Sequence, residues 1–145
     1  MALICCDTSF LFSLYGSDHF TRRAVAEVSR LQDAISVSIF NEFEFENSIR
    51  LSVFRKVLNL TQAAILSGDY ERDMTLGKLT LATCNLASVL AEAKRLSLAH
   101  TQRGGHRAFD IVHVAAARHL GATEFLSFDA NQKKLAKVEG LKVKP

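Results

Sequence analysis

Four acidic residues stand at positions where a carboxylate could carry out chemistry. Asp7 follows the apolar run Leu3–Cys6, and Asp129 ends the segment "EFLSFD". Glu44 falls within the apolar stripe of an amphipathic segment, and Asp110 lies near the start of a small, apolar one. If the four carboxylates converge, their mutual repulsion disfavours the fully ionised state, and a divalent cation removes that cost. Ligands that are all oxygen favour Mg²⁺ or Mn²⁺ over softer metals.

Each acid also has an ordinary structural explanation. Asp7 and Asp129 could each cap the element that follows, since Asp is a favoured N-cap residue. Asp110 would complement the positive end of a helix dipole. Glu44 could form a salt bridge with an internal Arg or Lys. His113, three residues after Asp110, could orient that acid or be an ordinary core histidine. Only the four acids taken together favour a metal centre.

The elements that must position these acids alternate along the chain. Short apolar runs predict strands, and longer amphipathic stretches predict helices. This alternation predicts an α/β domain with a mainly parallel sheet. Such sheets bind ligands beyond the carboxyl ends of their strands, where Asp7 and Asp129 are expected. The predicted strands are Leu3–Cys6, Ala34–Val37, Glu124–Phe128 and Leu141–Val143, and the predicted helices lie near Asp18–Leu31, Ile39–Leu58, Thr61–Ser67, Asn85–His100, Phe109–Leu120 and Asn131–Val138.

The segment "SIFNEFEFENSIRLSVF" predicts a helix with a narrow apolar stripe. Glu44 falls inside that stripe, where a carboxylate needs a partner. Glu42 and Glu46 fall on the opposite side and are expected to face solvent, with Glu46 one turn from Arg50. The stripe consists of Phe40, Phe43, Asn47, Leu51, Phe54 and Leu58.

The same predicted helix has a second apolar face, formed by Phe45, Ile49 and Val53. One interpretation is that this face packs against another helix of the chain. The other is that it contacts a partner protein. The sequence alone leaves both interpretations open.

Length and composition set the class of protein. The chain has 145 residues, of which 48% are hydrophobic, so we expect one domain over residues 1–145 with an ordinary core. No apolar run reaches the roughly 18 residues of a membrane helix, and no signal peptide is evident. The three cysteines form neither a disulfide framework nor a zinc pattern, which favours a cytoplasmic location. The net charge of +3 permits a nucleic-acid partner without requiring one.

Three stretches of the sequence resemble the PIN-domain nucleases, especially the VapC-type toxins of toxin–antitoxin pairs. "CDTSFLFSLY" is similar to the opening strand of that family with its first acid, and "FEFENSIRL" to its second motif. "RAFDIVHVAAARHLGATEFLSFD" is similar to the third acid, an Ala-rich helix, the next strand and the fourth acid. The stretches follow the family order nearly end to end. The resemblance implies a three-layer α/β/α PIN-like fold with a mainly parallel sheet.

The same resemblance implies a metal centre formed by Asp7, Ser9, Glu44, Asp110 and Asp129, with Ser9 binding directly or through water. The implied activity is hydrolysis of RNA phosphodiester bonds with Mg²⁺ or Mn²⁺, leaving 5′-phosphate ends. The implied partners are an RNA substrate, a small antitoxin protein and a second copy of the chain, with no membrane. Three further residues could contact RNA phosphates: Thr101, Arg103 and Arg107.

Three other classes of protein compete with this interpretation. A non-catalytic PIN-like module could bind RNA or protein, although the presence of all four acids argues against it. A receiver-like phospho-acceptor domain would need paired acids early in the chain and a late Lys at a strand end. Asp7 has no acidic neighbour, and no strand clearly ends in such a Lys. A Rossmann-type nucleotide binder would need a GxGxxG motif or a P-loop, and neither occurs.

Overall fold

A sheet of five parallel strands forms the centre of the computed structural model, which describes residues 2–145. The strands are β1 (Ile4–Cys6), β2 (Ile35–Ser38), β3 (Leu79–Ala82), β4 (Glu124–Leu126) and β5 (Lys142–Lys144). The helices are α1 (Thr8–Tyr15), α2 (Thr21–Ser29), α3 (Ile39–Phe54), α4 (Leu60–Thr75), α5 (Leu86–Gly104), α6 (Ala108–His119) and α7 (Ala130–Val138).

The two faces of the sheet carry separate hydrophobic clusters, because neighbouring residues of a strand point to opposite sides. Cys6 and Leu126 lie in the cluster with α1–α4, whereas Cys5 and Phe125 lie in the cluster with α5–α7. Both faces are covered, as parallel sheets require. The predicted three-layer α/β/α fold is therefore confirmed. The cysteines are free, as expected.

The strand order places a topological switch beside β1. The sheet runs β3-β2-β1-β4-β5, so the chain first builds outward on one side of β1 and then returns to the other side. Cys6 of β1 is in register with Leu126 of β4, and the Asp7 amide donates to the Leu126 carbonyl at 3.1 Å. The carboxyl ends of β1 and β4 therefore stay together, and ligands of open α/β sheets bind at such a point.

Two elements were missed by the sequence prediction. The helix α1 begins directly after Asp7, whose side chain caps it, so the apolar run from Phe10 to Tyr15 is helical. The strand β3 lies at the sheet edge with Thr80 and Leu81 exposed, so it lacks a buried apolar run. Two helices are also longer than predicted, since α4 continues to Thr75 and α5 continues to Gly104.

The face of α3 that packs in the core is the second apolar face, not the expected stripe. Phe45 is fully buried and Ile49 nearly so, and the Phe45 ring lies 4.8 Å from the Tyr70 ring of α4. This face therefore packs inside the chain, and the alternative that Phe45 and Ile49 contact a partner protein is wrong. Phe43 and Phe54, from the expected stripe, are 62% and 81% exposed instead.

The glutamates on the far side of α3 differ from each other. Glu46 is exposed and pairs with Arg50 at 3.6 Å, as expected. Glu42 is only half-buried and accepts a hydrogen bond from the Tyr70 hydroxyl at 3.0 Å, so it is not simply solvated.

Within residues 2–145, no helix combines the length and the hydropathy needed to cross a membrane.

Candidate active site

A cavity of about 690 Å³ opens at the carboxyl edge of the sheet, beside the switch point. It receives side chains from Asp7 at the end of β1, from α1, α3, α6 and α7, and from the loops before α2 and after β4, so both halves of the chain contribute. The fold brings to this one cavity all five residues predicted as metal ligands, namely Asp7, Ser9, Glu44, Asp110 and Asp129.

Asp7 is the most deeply buried of the acids, at 2% exposure. Its Oδ1 accepts from the Phe10 amide at 2.8 Å, which caps α1, and its Oδ2 accepts from the Ser127 hydroxyl at 2.5 Å. Burial raises the pKa of the Asp7 carboxyl to about 6, although the hydrogen bonds from Ser127 and Phe10 lower it. The carboxylate is therefore held in place, yet its charge lacks full compensation.

Ser127, a residue the sequence prediction did not single out, joins two of the acids. Its hydroxyl donates to Asp7 and accepts from the Asp129 amide at 3.0 Å. Asp129 in turn caps α7, because its Oδ1 accepts from the Gln132 amide at 2.8 Å. The Gln132 side chain donates to the Asp110 carbonyl at 3.1 Å. The segment after β4 is thus tied to both Asp7 and Asp110.

Asp110 lies in the first turn of α6 and is half-buried. Burial raises its pKa, and the nearby carboxylates of Asp129 and Glu44 raise it further. His113 and Arg107 act in the opposite direction. The acids are therefore close enough to repel one another, which is the condition under which a cation stabilises them.

Glu44 is oriented by a histidine, not by the Arg or Lys expected from the sequence. The Nε2 of His113 lies 2.9 Å from Glu44 Oε1 and 3.1 Å from the Thr8 hydroxyl. The Asn41 amide nitrogen donates to the Cys6 carbonyl at 3.2 Å, which fixes its orientation, and it also lies 3.2 Å from His113 Nδ1. Nδ1 must then accept, so Nε2 carries the proton and donates. His113 orients Glu44 and makes no hydrogen bond to Asp110.

The pKa of Glu44 is shifted in the opposite direction from the pKa values of Asp7 and Asp110. Burial raises it, but hydrogen bonds from His113 and Thr8 outweigh burial and lower the pKa below its ordinary value. The ionised form is therefore favoured at Glu44, whereas ionisation costs free energy at Asp7 and Asp110. Such a mixture of environments around one cavity is typical of functional sites.

Cationic residues also line the cavity. Arg107 does so, whereas Thr101 and Arg103, also expected near RNA, do not. Arg55 lines the cavity too and was missed, because its position depends on where α3 ends. Among the described residues, neither Arg55 nor Arg107 forms an ion pair with a carboxylate. Both remain free to meet an anionic ligand.

The donors suit a hard cation in type, although the side chains do not form a closed cage. Across residues 2–145, no group of three His, Cys, Asp or Glu side chains is arranged to hold an ion. Asp7 and Glu44 are instead held by Ser127 and His113. Mg²⁺ commonly keeps several waters and binds through only one or two carboxylates and substrate phosphates. The carboxylate set and its repulsion therefore fit such an ion.

Residues 4–138 match the PIN domain family, so the chain belongs to that family. VapC20 of Mycobacterium tuberculosis, described as a toxin that cleaves the sarcin-ricin loop, has a TM-score of 0.70 at 17% identity over 98% of this chain and 99% of that one. FitAcB of Neisseria gonorrhoeae has a TM-score of 0.68 at 18% identity, over 99% of this chain and 97% of that one. VapBC-1 of nontypeable Haemophilus influenzae has a TM-score of 0.66 at 13% identity, over 98% of this chain and 96% of that one. Comparison with curated protein sequences gave no match.

Proposed function

We propose that the chain is a divalent-metal-dependent endoribonuclease, and the toxin of a toxin–antitoxin pair. The observation that carries this proposal is the convergence of four carboxylates on one cavity at the switch point of a PIN-domain sheet. The description of VapC20 as a toxin that cleaves an RNA loop supports RNA as the substrate class. The alternative of a non-catalytic PIN-like binding module would leave the mutual repulsion of these acids unexplained.

In this proposal the polar residues of the cavity divide into ligands and supports. One or two Mg²⁺ or Mn²⁺ ions would supply a water of lowered pKa and neutralise charge on the leaving oxygen. Ser127 and His113 hold two of the carboxylates in fixed orientations, which saves reorganisation during the reaction. Arg55 and Arg107 bind the RNA phosphates. The metal ligands are Asp7, Ser9, Glu44, Asp110 and Asp129.

The proposal predicts RNA cleavage that depends on a divalent ion. Purified protein should cut a structured RNA in Mg²⁺ or Mn²⁺, lose activity in EDTA and regain it when excess Mg²⁺ is added. The products should carry 5′-phosphates, which a 5′-phosphate-dependent exonuclease would detect. Raising the salt concentration should slow cleavage, because it weakens phosphate contacts. Full cleavage in EDTA would contradict the proposal.

We further propose a small antitoxin protein as partner, self-association into a homodimer, and a cytoplasmic location, where the three thiols stay reduced. A similar fold occurs in a structure described as a toxin–antitoxin complex from Klebsiella pneumoniae, with a TM-score of 0.59 at 15% identity. Light scattering should give twice the chain mass of 16.0 kDa. A mass of one chain at all concentrations would rule out the homodimer. Failure of a protein encoded beside it to copurify would count against the antitoxin.

A further inference from the structure

Beside the acids, four rings form a continuous stack that reaches the surface. The ring of Phe128 lies 5.4 Å from Phe10 and 4.5 Å from Phe20, at interplanar angles of 18° and 11°. The His19 ring lies 4.1 Å from the Phe20 ring, tilted by 39°. Phe10 is fully buried, whereas His19 is exposed. We call this set the aromatic ladder; it runs from the core to solvent and ends at His19.

The turn that carries the open end of the ladder is fixed by Asp18. Its carboxylate accepts from the Ser13 hydroxyl of α1 at 2.8 Å and from the Phe20 amide at 2.8 Å. The Asp18 amide donates to the Thr21 hydroxyl, at the start of α2, at 2.9 Å. The turn is thus tied to both flanking helices, and the rings are held ready before any ligand arrives.

The ladder borders the acidic cavity and has one arginine against it. His19, Phe20 and Phe128 line the same cavity as the acids. The Arg23 guanidinium lies 5.3 Å from the centroid of the Phe128 ring, within the range of a cation–π contact. Stacked rings beside cationic groups are what proteins use to bind single-stranded nucleic acid.

We propose that His19 is the stacking surface for one unpaired RNA base, which extends the aromatic ladder while the adjacent phosphate lies in the cavity that Arg55 and Arg107 line. This inference rests on the proposed function and specifies its substrate class. A base inside a duplex is already covered on both faces, so only a base in a loop, bulge or single strand can join the ladder. The site recognises the face of a base rather than its hydrogen-bonding edge, so it is tolerant of sequence.

The test measures stacking directly, without cleavage. A short single-stranded oligoadenylate with one 2-aminopurine, scanned along its length, is mixed with the protein in Ca²⁺, a hard cation that neutralises the carboxylates of the cavity. Stacking should quench the 2-aminopurine, and anisotropy gives the affinity. We expect His19→Ala to weaken binding by roughly tenfold and to remove the quenching, whereas His19→Phe retains both. The control is His119→Ala, which removes another exposed imidazole, far from the cavity and on α6.

The outcomes separate this inference from the nuclease proposal. Equal binding by the His19→Ala and wild-type proteins, equal affinity for a perfect duplex, or no binding of the oligonucleotide would overturn the inference. RNA cleavage by both proteins with the same KM would overturn it too, and leave the nuclease proposal standing. Binding that depends on His19, without cleavage in Mg²⁺ or Mn²⁺, would support the inference and count against the nuclease. If His19→Ala weakens only antitoxin binding, the ladder is a protein contact and the inference fails.

Discussion

Replacing Asp110 with Asn is expected to abolish RNA cleavage, with a loss on the order of a hundredfold or more in kcat/KM. The carboxylates of Asp129 and Glu44 repel that of Asp110, which raises its pKa. A cation bound among them would be attracted by the same negative charge. Asn keeps the size of the side chain but removes the charge. The supporting hydrogen bond from Gln132 reaches the backbone carbonyl of residue 110, so the substitution leaves it in place. Single-turnover cleavage of the same RNA in Mg²⁺ gives the measurement.

A matched control separates loss of the site from loss of the fold. Asp69→Asn makes the same chemical change on α4, at a side chain that pairs with Arg72 and does not line the cavity. It should cleave RNA like the wild type. Both variants should melt within a few degrees of the wild type, since each changes a side chain at least partly exposed to solvent. Normal cleavage by the Asp110→Asn protein would remove Asp110 from the metal centre.

The sequence was informative about the acids because their positions follow from local rules. The apolar runs predict the end of β1 correctly and the end of β4 two residues late, at Phe128 instead of Leu126. Parallel strands place those ends at one edge, so Asp7 and Asp129 are expected near each other. Glu44 is predicted as a site residue because it interrupts an apolar stripe. That stripe proved to be partly exposed, since α3 buries the face of Phe45 and Ile49 instead. Periodicity located the residue but not the side of the helix that meets the core.

The supports of the acids could not be read from the sequence, because they come from distant segments. Ser127 reaches Asp7 across 120 positions, and His113 reaches Glu44 across 69. A serine before an acid or a histidine in an apolar helix has no local signature of such a bond. The aromatic ladder is equally non-local, since its rings come from α1, the turn before α2 and the loop after β4. Only packing of the whole chain assembles these contacts.

The pKa of Asp7 predicts an unusual effect of pH on stability. The folded-state value of about 6 lies above the ordinary 3.8, so the folded chain holds more protons than the unfolded chain between these values. The contribution of Asp7 to the free energy of unfolding should therefore be most favourable below about pH 4, decrease as pH rises to about 6, and then level off. The difference of about 2.2 pKa units, 6 minus 3.8, corresponds to roughly 3 kcal/mol at this buried group.

Replacing Asp7 with Asn should remove that penalty in the metal-free protein. Asn caps a helix about as well as Asp, can still accept from the Phe10 amide, and carries no charge to desolvate. Its amide nitrogen would face the Ser127 hydroxyl and donate where Asp7 accepts, so part of the gain is offset by the rearranged hydrogen bond. In EDTA near pH 7, urea unfolding should show the variant to be more stable than the wild type by up to roughly 3 kcal/mol, with little difference near pH 4. Asp69→Asn, at a partly exposed position, should show no such gain.

Mg²⁺ should reverse the order of the two proteins, because an ion that binds only the folded wild type stabilises it by mass action. The Asp7→Asn protein, which lacks one ligand of the proposed centre, should gain little from Mg²⁺ and should not cleave RNA. Two results would contradict this account. An equal pH dependence in both proteins would mean that Asp7 is not the strained acid, and equal stabilisation by Mg²⁺ would mean that the ion binds elsewhere. Stability lost to an uncompensated carboxylate and regained with a cation would link the burial of Asp7 to its function.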